Sequence, residues 1–169
     1  MNRAFQRYKK TIRTNACRTL IVVAGVFLLL ACPADADGVK GFTQTAIQIE
    51  TPAGRSMEFT VFLALSGKQH ARGLMFVDEL GERQGMLFVY QRSQNISMWM
   101  KNTKLPLDML FIRQDGTIAR IEKETKPYAL DSIVSGEPVL AILELNGGVA
   151  DKYGIQPGAR VISKYFAND

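Results

Sequence analysis

The sequence predicts a mainly β domain, a sandwich or partly closed barrel that carries two short helices. Three observations predict it. Roughly eight segments of strand period or strand-length apolar run recur about every 8 to 12 residues. Turn-forming residues punctuate them at Pro52-Ala53-Gly54, Asp115-Gly116 and Pro157-Gly158. No helical pattern between them is long enough for the crossover of a parallel βαβ sheet, which needs a dozen residues or more.

Taken in order, Thr45 to Glu50 sets Thr45, Ile47 and Ile49 against Ala46, Gln48 and Glu50 at strand period, and the turn at Thr51 to Gly54 pairs it with Arg55 to Leu65. In that second strand Met57, Phe59, Val61, Leu63 and Leu65 share one face. Ser66 and Gln69 have capping-box spacing, which predicts a short helix over Gly67 to Gly73 carrying His70, expected as a solvated surface histidine, and Arg72. Val77 to Gln84 is a charged loop and Gly85 to Tyr90 an apolar strand, with Gln91 to Asn95 a polar turn. Asp115-Gly116 joins the strands Leu107 to Ile112 and Thr117 to Glu124, the strongest hairpin signal in the chain. A loop over Thr125 to Pro138 precedes the buried strand Val139 to Leu145, a brief helix over Gly147 to Tyr153 and a last strand over Arg160 to Phe166. Leu63, Leu87, Phe88, Leu110, Ile112, Ile142 and Leu143 are the expected core.

Residues 1–36 have the character of an export signal. Arg3, Arg7, Lys9, Lys10, Arg13 and Arg18 precede the apolar run Leu20 to Ala31, which is shorter than the roughly 20 residues of a membrane span. It ends in Ala34-Asp35-Ala36, the small-x-small pattern of a signal peptidase site, so residues 37–45 form a tether and 46–169 a single domain. Leu29-Leu30-Ala31-Cys32 offers a second route, lipidation at Cys32 and anchoring as an envelope lipoprotein. Cys17 lies in the removed segment, so no disulfide is expected. The net charge of +5 belongs to this leader: six of the 21 Lys and Arg lie in it, leaving 15 against 15 Asp and Glu from Asp37 onward. A periplasmic or secreted domain of neutral balance, without a basic stripe, is expected to have no nucleic-acid partner.

The chemistry concentrates in Ser97 to Ile112, which holds the single Trp. Read as two strands joined at Asn102 to Pro106, it sets Trp99 and Lys101 on one face and Met98, Met100 and Asn102 on the other. Asp108 then shares a face with Leu110 and Ile112, and Glu144 shares one with Leu140 and Ile142. A carboxylate on an apolar row must find a partner or shift its pKa. The candidate site is therefore Arg72, Trp99, Lys101, Asn102, Asp108 and Glu144, a polar pocket for a small polar, sugar-like or anionic ligand. Trp99 would supply a flat apolar face, Asn102 a donor and acceptor, and Arg72 or Lys101 a cation. Two alternatives stand beside binding. Asp108 and Glu144 across a cleft would suit a carboxylate-dependent hydrolase, and Met98 with Met100 would offer thioethers to Cu(I). A buried carboxylate pair that only fixes strand register is the structural reading. No nucleophile motif, zinc ligand set or cofactor signature accompanies these residues.

Six blocks extend the reading: Arg72-Gly73-Leu74-Met75, Gly85-Met86-Leu87-Phe88, Trp99-Met100-Lys101-Asn102-Thr103, Pro106-Leu107-Asp108, Asp115-Gly116 and Leu143-Glu144-Leu145. In this order they resemble the domain of unknown function 192 family, also called uncharacterised protein family 0127, over about Ile47 to Lys164. The resemblance implies a compact jelly-roll-like β domain, often exported, with no established activity. Val77, where the family often has a basic residue, and Ala159, where it often has Asp, depart from the pattern. Together these readings lead us to expect an exported, non-catalytic ligand-binding or accessory module of the cell envelope.

Overall fold

The computed structural model describes residues 39–167; the expected export signal and Cys32 lie outside the described residues. The described residues form nine strands and two short helices. They are β1 (Thr43–Glu50), β2 (Ser56–Ala64), α1 (Gly67–Arg72), β3 (Gln84–Gln94), β4 (Ser97–Met98), β5 (Leu107–Ile112), β6 (Ile118–Glu122), β7 (Ile133–Val134), β8 (Val139–Asn146), α2 (Val149–Tyr153) and β9 (Arg160–Ile162). Seven of the strands make one sheet in the order β6-β5-β8-β3-β2-β1-β9, and β4 pairs with β7 in a separate ribbon. The ends of the large sheet meet. Thr117 bridges Arg160, Ile118 N–H donates to the Ala159 carbonyl at 2.8 Å, and Val161 N–H donates to that of Gly116 at 2.8 Å. The result is the nearly closed barrel-like form of the expected mainly β class.

Burial on both faces explains why the middle strands are continuous apolar runs. Inside the barrel pack Ile47, Ile49, Phe59, Val61, Leu63, Leu87, Leu110, Ile112, Leu143 and Leu145. A second core covers the outer face of β2, β3, β5 and β8, where Phe62, Met86, Phe88, Met109, Phe111 and Ile142 meet Val39, Leu74, Val77, Ile96 and Met100 from flanking segments. All seven expected core residues are buried, but Phe88 and Ile142 belong to the outer core and the other five to the inner one. The two departures from the family pattern, Val77 and Ala159, are fully buried packing positions. Gly85 is required where β3 crosses β8, because a Cβ there would lie 2.6 Å from the Glu144 carbonyl oxygen.

Several expectations are corrected. β2 and β3 pair in parallel, the one parallel pair of the large sheet. The connection 65–83 makes the crossover with the six residues of α1 and loop rather than with a long helix. Leu65 is 49% exposed instead of facing the core, because β2 ends at Ala64 where Ser66 begins to cap α1. β3 runs through the expected turn at Gln91 to Asn95 as far as Gln94, with a register shift after Val89. Within the span expected as a tether, Val39 is already buried and β1 starts at Thr43 rather than Thr45. Of the two strands expected across Ser97 to Ile112, the first is only Ser97–Met98. After it Met100 N–H donates to the Ala129 carbonyl, Thr103 N–H donates to that of Met100, and Asn102 takes a φ of 55°, which folds Trp99 to Pro106 into a turn.

Candidate functional site

Strand register decides where the two carboxylates point. Cross-strand partners share a face, and β5 pairs with β8 as Asp108 with Leu145 and Met109 with Glu144. Asp108 therefore lies on the face of the inner core and Glu144 on the outer face, flanked by Met86 of β3 and Met109 of β5. The two do not face one another across a cleft, the geometry a two-carboxylate hydrolase would use.

Asp108 is fully buried and bound by backbone donors. Its Oδ1 accepts from Glu124 N–H at 2.9 Å and Gly148 N–H at 3.2 Å, and its Oδ2 accepts from Ala150 N–H at 2.8 Å. The N-cap of α2 is Gly148, which has no side chain to satisfy the first N–H groups of that helix. Asp108 does so from a neighbouring strand, and neither Arg72 nor Lys101 is needed for it.

Glu144 has the opposite environment. It is 4% exposed, and burial pushes its carboxyl up to about 8. Among the described residues six polar side chains are buried: Thr51, Thr103, Asp108, Thr125, Ser135 and Glu144. The first five each hold a hydrogen bond to the main chain. Glu144 alone of the six has no hydrogen bond or ion pair from the described residues. It lines a cavity of about 310 Å3 with Arg72, Trp99, His70, Met75, Met98 and Tyr90.

Each wall has a local cause. α1 is fixed by a reciprocal capping box between Ser66 and Gln69, and it delivers His70 and Arg72. The His70 ring is half-buried rather than solvated, packed 4.5 Å from the Tyr90 ring with Nε2 2.9 Å from the Ala64 carbonyl oxygen. Arg72 Nη1 donates to the Lys40 carbonyl at 3.1 Å, and its guanidinium lies 5.6 Å from the Phe42 ring centre. Alternation along β3 puts Met86, Phe88 and Tyr90 on the Glu144 face, and burial followed by the charge of Glu144 raises the Tyr90 phenol above its ordinary value. Trp99 is 50% exposed at the rim with the Lys101 ammonium 5.1 Å from its ring centre.

Of the six expected residues, Arg72, Trp99 and Glu144 thus meet at one cavity. Lys101 stands against Trp99. Asn102 sits behind the cavity, its Nδ2 3.9 Å from the Met75 sulfur, and Asp108 is on the other face of the sheet. The methionine pair is also divided. Met98 lines the cavity, whereas Met100 is fully buried with its sulfur 3.2 Å from the Thr125 hydroxyl. Among the described residues no group of three or more His, Cys, Asp or Glu side chains is placed to hold a metal ion. His70, Met75 and Tyr90 were missed in the sequence as wall residues; the period of β3 points to Tyr90, but only the packing of α1 brings in the other two.

Residues 48–163 match the model of the family DUF192, described as Uncharacterized ACR. A solved structure from Sinorhizobium meliloti, whose name proposes a transcription regulator, is 40% identical, with 72% of this chain and 94% of that one covered and a TM-score of 0.71. A protein of unknown function from Novosphingobium aromaticivorans is 33% identical, with 79% of this chain and 94% of that one covered and a TM-score of 0.71. No curated protein matches the chain significantly.

Proposed function

Because the chain belongs to the domain of unknown function 192 family, whose description names no activity, we propose that it is a non-catalytic ligand-binding module of the bacterial envelope, and that its site is the Glu144 cavity. The observation that carries this reading is the buried Glu144 carboxyl, which has no partner from the described residues and lies against a cavity able to hold a small molecule. A buried polar group of this kind costs free energy until something bonds it, and a ligand can supply that bond. Trp99 and Tyr90 add flat faces and Arg72 a cation at the edge, which suits a small polar or sugar-like ligand.

Export, or anchoring through Cys32, belongs to the same proposal and rests on the basic start, the apolar run and Ala34-Asp35-Ala36. A nucleic-acid partner is left out of it. The charge from Asp37 onward is balanced, and the name borne by the Sinorhizobium structure describes that protein.

A thermal-shift screen of the mature chain against sugars, peptidoglycan fragments, small amines, small anions and Cu(I) tests the proposal, since a ligand stabilises by mass action. Hits are expected to weaken in Trp99→Ala and Glu144→Gln and to persist in Asp108→Asn. Turnover of a sugar polymer that is lost in both carboxylate variants would replace binding with hydrolysis.

A further inference from the structure

Resting on the reading of this cavity as a binding site, we propose that its ligand presents a protonated amine to the Glu144 carboxylate. Three features of the walls favour that charge. The rings of Tyr90, Trp99 and Phe88 offer electron-rich faces, and Met75 and Met98 offer polarisable sulfur, surroundings that attract an alkylammonium group. The chain already places one such cation on a wall, since the Lys101 ammonium stands over the Trp99 ring. The Arg72 guanidinium reaches the Lys40 carbonyl and the Phe42 ring, so it holds an orientation that does not neutralise Glu144. An anion would meet a carboxyl group with no hydrogen-bond donor of its own to spare once ionised. An ammonium instead supplies both the opposite charge and the donors that a buried carboxylate needs.

The proton balance follows from burial. The charged and titratable groups facing Glu144 are His70 and Arg72 from α1 and Tyr90 from β3, with Lys101 beyond Trp99; its neighbours on that face of β5 and β8 are Leu107, Met109, Ile142 and Asn146, none of which titrates. With its carboxyl pushed up to about 8, Glu144 is mostly protonated at neutral pH. Seating an amine that keeps its own proton drives the Glu144 proton into solvent. Affinity should therefore rise roughly tenfold per pH unit between about pH 6 and 8 and level off above that.

Ethanolamine and N-acetylethanolamine separate the possibilities, because acetylation keeps the hydroxyl and removes the charge. Each is titrated into the mature chain and its Glu144→Gln variant, following the emission of Trp99, the single Trp, and the heat in two buffers of different ionisation enthalpy. Ethanolamine is expected to bind at least about tenfold more tightly than its acetyl derivative and to release about one proton at pH 7. Glu144→Gln should melt no lower than the parent, since it cannot ionise on unfolding, and should lose that preference. If the acetyl derivative binds as tightly, if the variant retains the preference, or if only neutral sugars bind, the amine inference fails and the cavity stands as a binding site. If neither probe nor any sugar binds, both fail.

Discussion

Asp108 and Glu144 lie one residue out of register on the neighbouring strands β5 and β8, and that single step points them to opposite faces of the sheet. One carboxyl is held by three backbone N–H groups and the other by none of the described residues. Chemistry that looked paired along the chain is divided between anchoring a helix and lining a cavity.

Replacing Asp108 with Ala is expected to cost about 3 kcal/mol, because it strands the buried N–H of Ala150 and the part-buried N–H groups of Glu124 and Gly148. Denaturant unfolding gives the cost, and amide exchange should quicken first in α2. Unchanged exchange there would show that Asp108 does not cap the helix.

Glu144 predicts a pH dependence of opposite sign to that of an ion-paired carboxylate. Its folded value, about 8, lies above the ordinary value of 4.5, so between these limits the folded state holds a proton that the unfolded state has lost. Stability should fall with rising pH through that window by about 1.4 kcal/mol per unit and flatten above it. In Glu144→Gln the same melting curves should lose this slope. Parallel pH profiles for parent and variant would contradict a buried, neutral Glu144.

Met100 and Met98 should respond differently to truncation. Met100 is fully buried in the outer core, so Met100→Ala should cost roughly 2–5 kcal/mol. Met98 is half-buried at the cavity, and Met98→Ala should cost less than about 1.5 kcal/mol while altering ligand hits. Both side chains adjoin the outer core, and equal losses in urea titrations would show that Met98 is packed as fully as Met100.

Gly85→Ala should unfold the domain or shift β3 against β8, since the new methyl would stand 2.6 Å from the Glu144 carbonyl oxygen and 2.7 Å from the Leu145 side chain. Its near-ultraviolet circular dichroism should collapse. A native spectrum with parent stability would mean that β8 yields easily.

Mass spectrometry of protein taken from its native cells should give a chain beginning at Asp37, or a diacylated Cys32 if the lipoprotein route is used. An intact chain in the cytoplasm would end the envelope reading.

The sequence by itself determined the local grammar of this protein. Periodicity and turn chemistry act over a few residues, so the β1–β2 and β5–β6 hairpins, the Ser66 and Gln69 capping box and the apolar rows bearing Asp108 and Glu144 were legible from residue order. Tertiary structure decided everything that depends on which strands become neighbours. The parallel pairing of β2 with β3, the turn that ends β4 after Met98 and the burial of His70 against Tyr90 all require partners far along the chain. The division of the two carboxylates is the clearest case. Alternation assigns each to an apolar face of its own strand, but only the β5–β8 register shows that the faces are opposite ones, because a shift of one residue exchanges inside for outside.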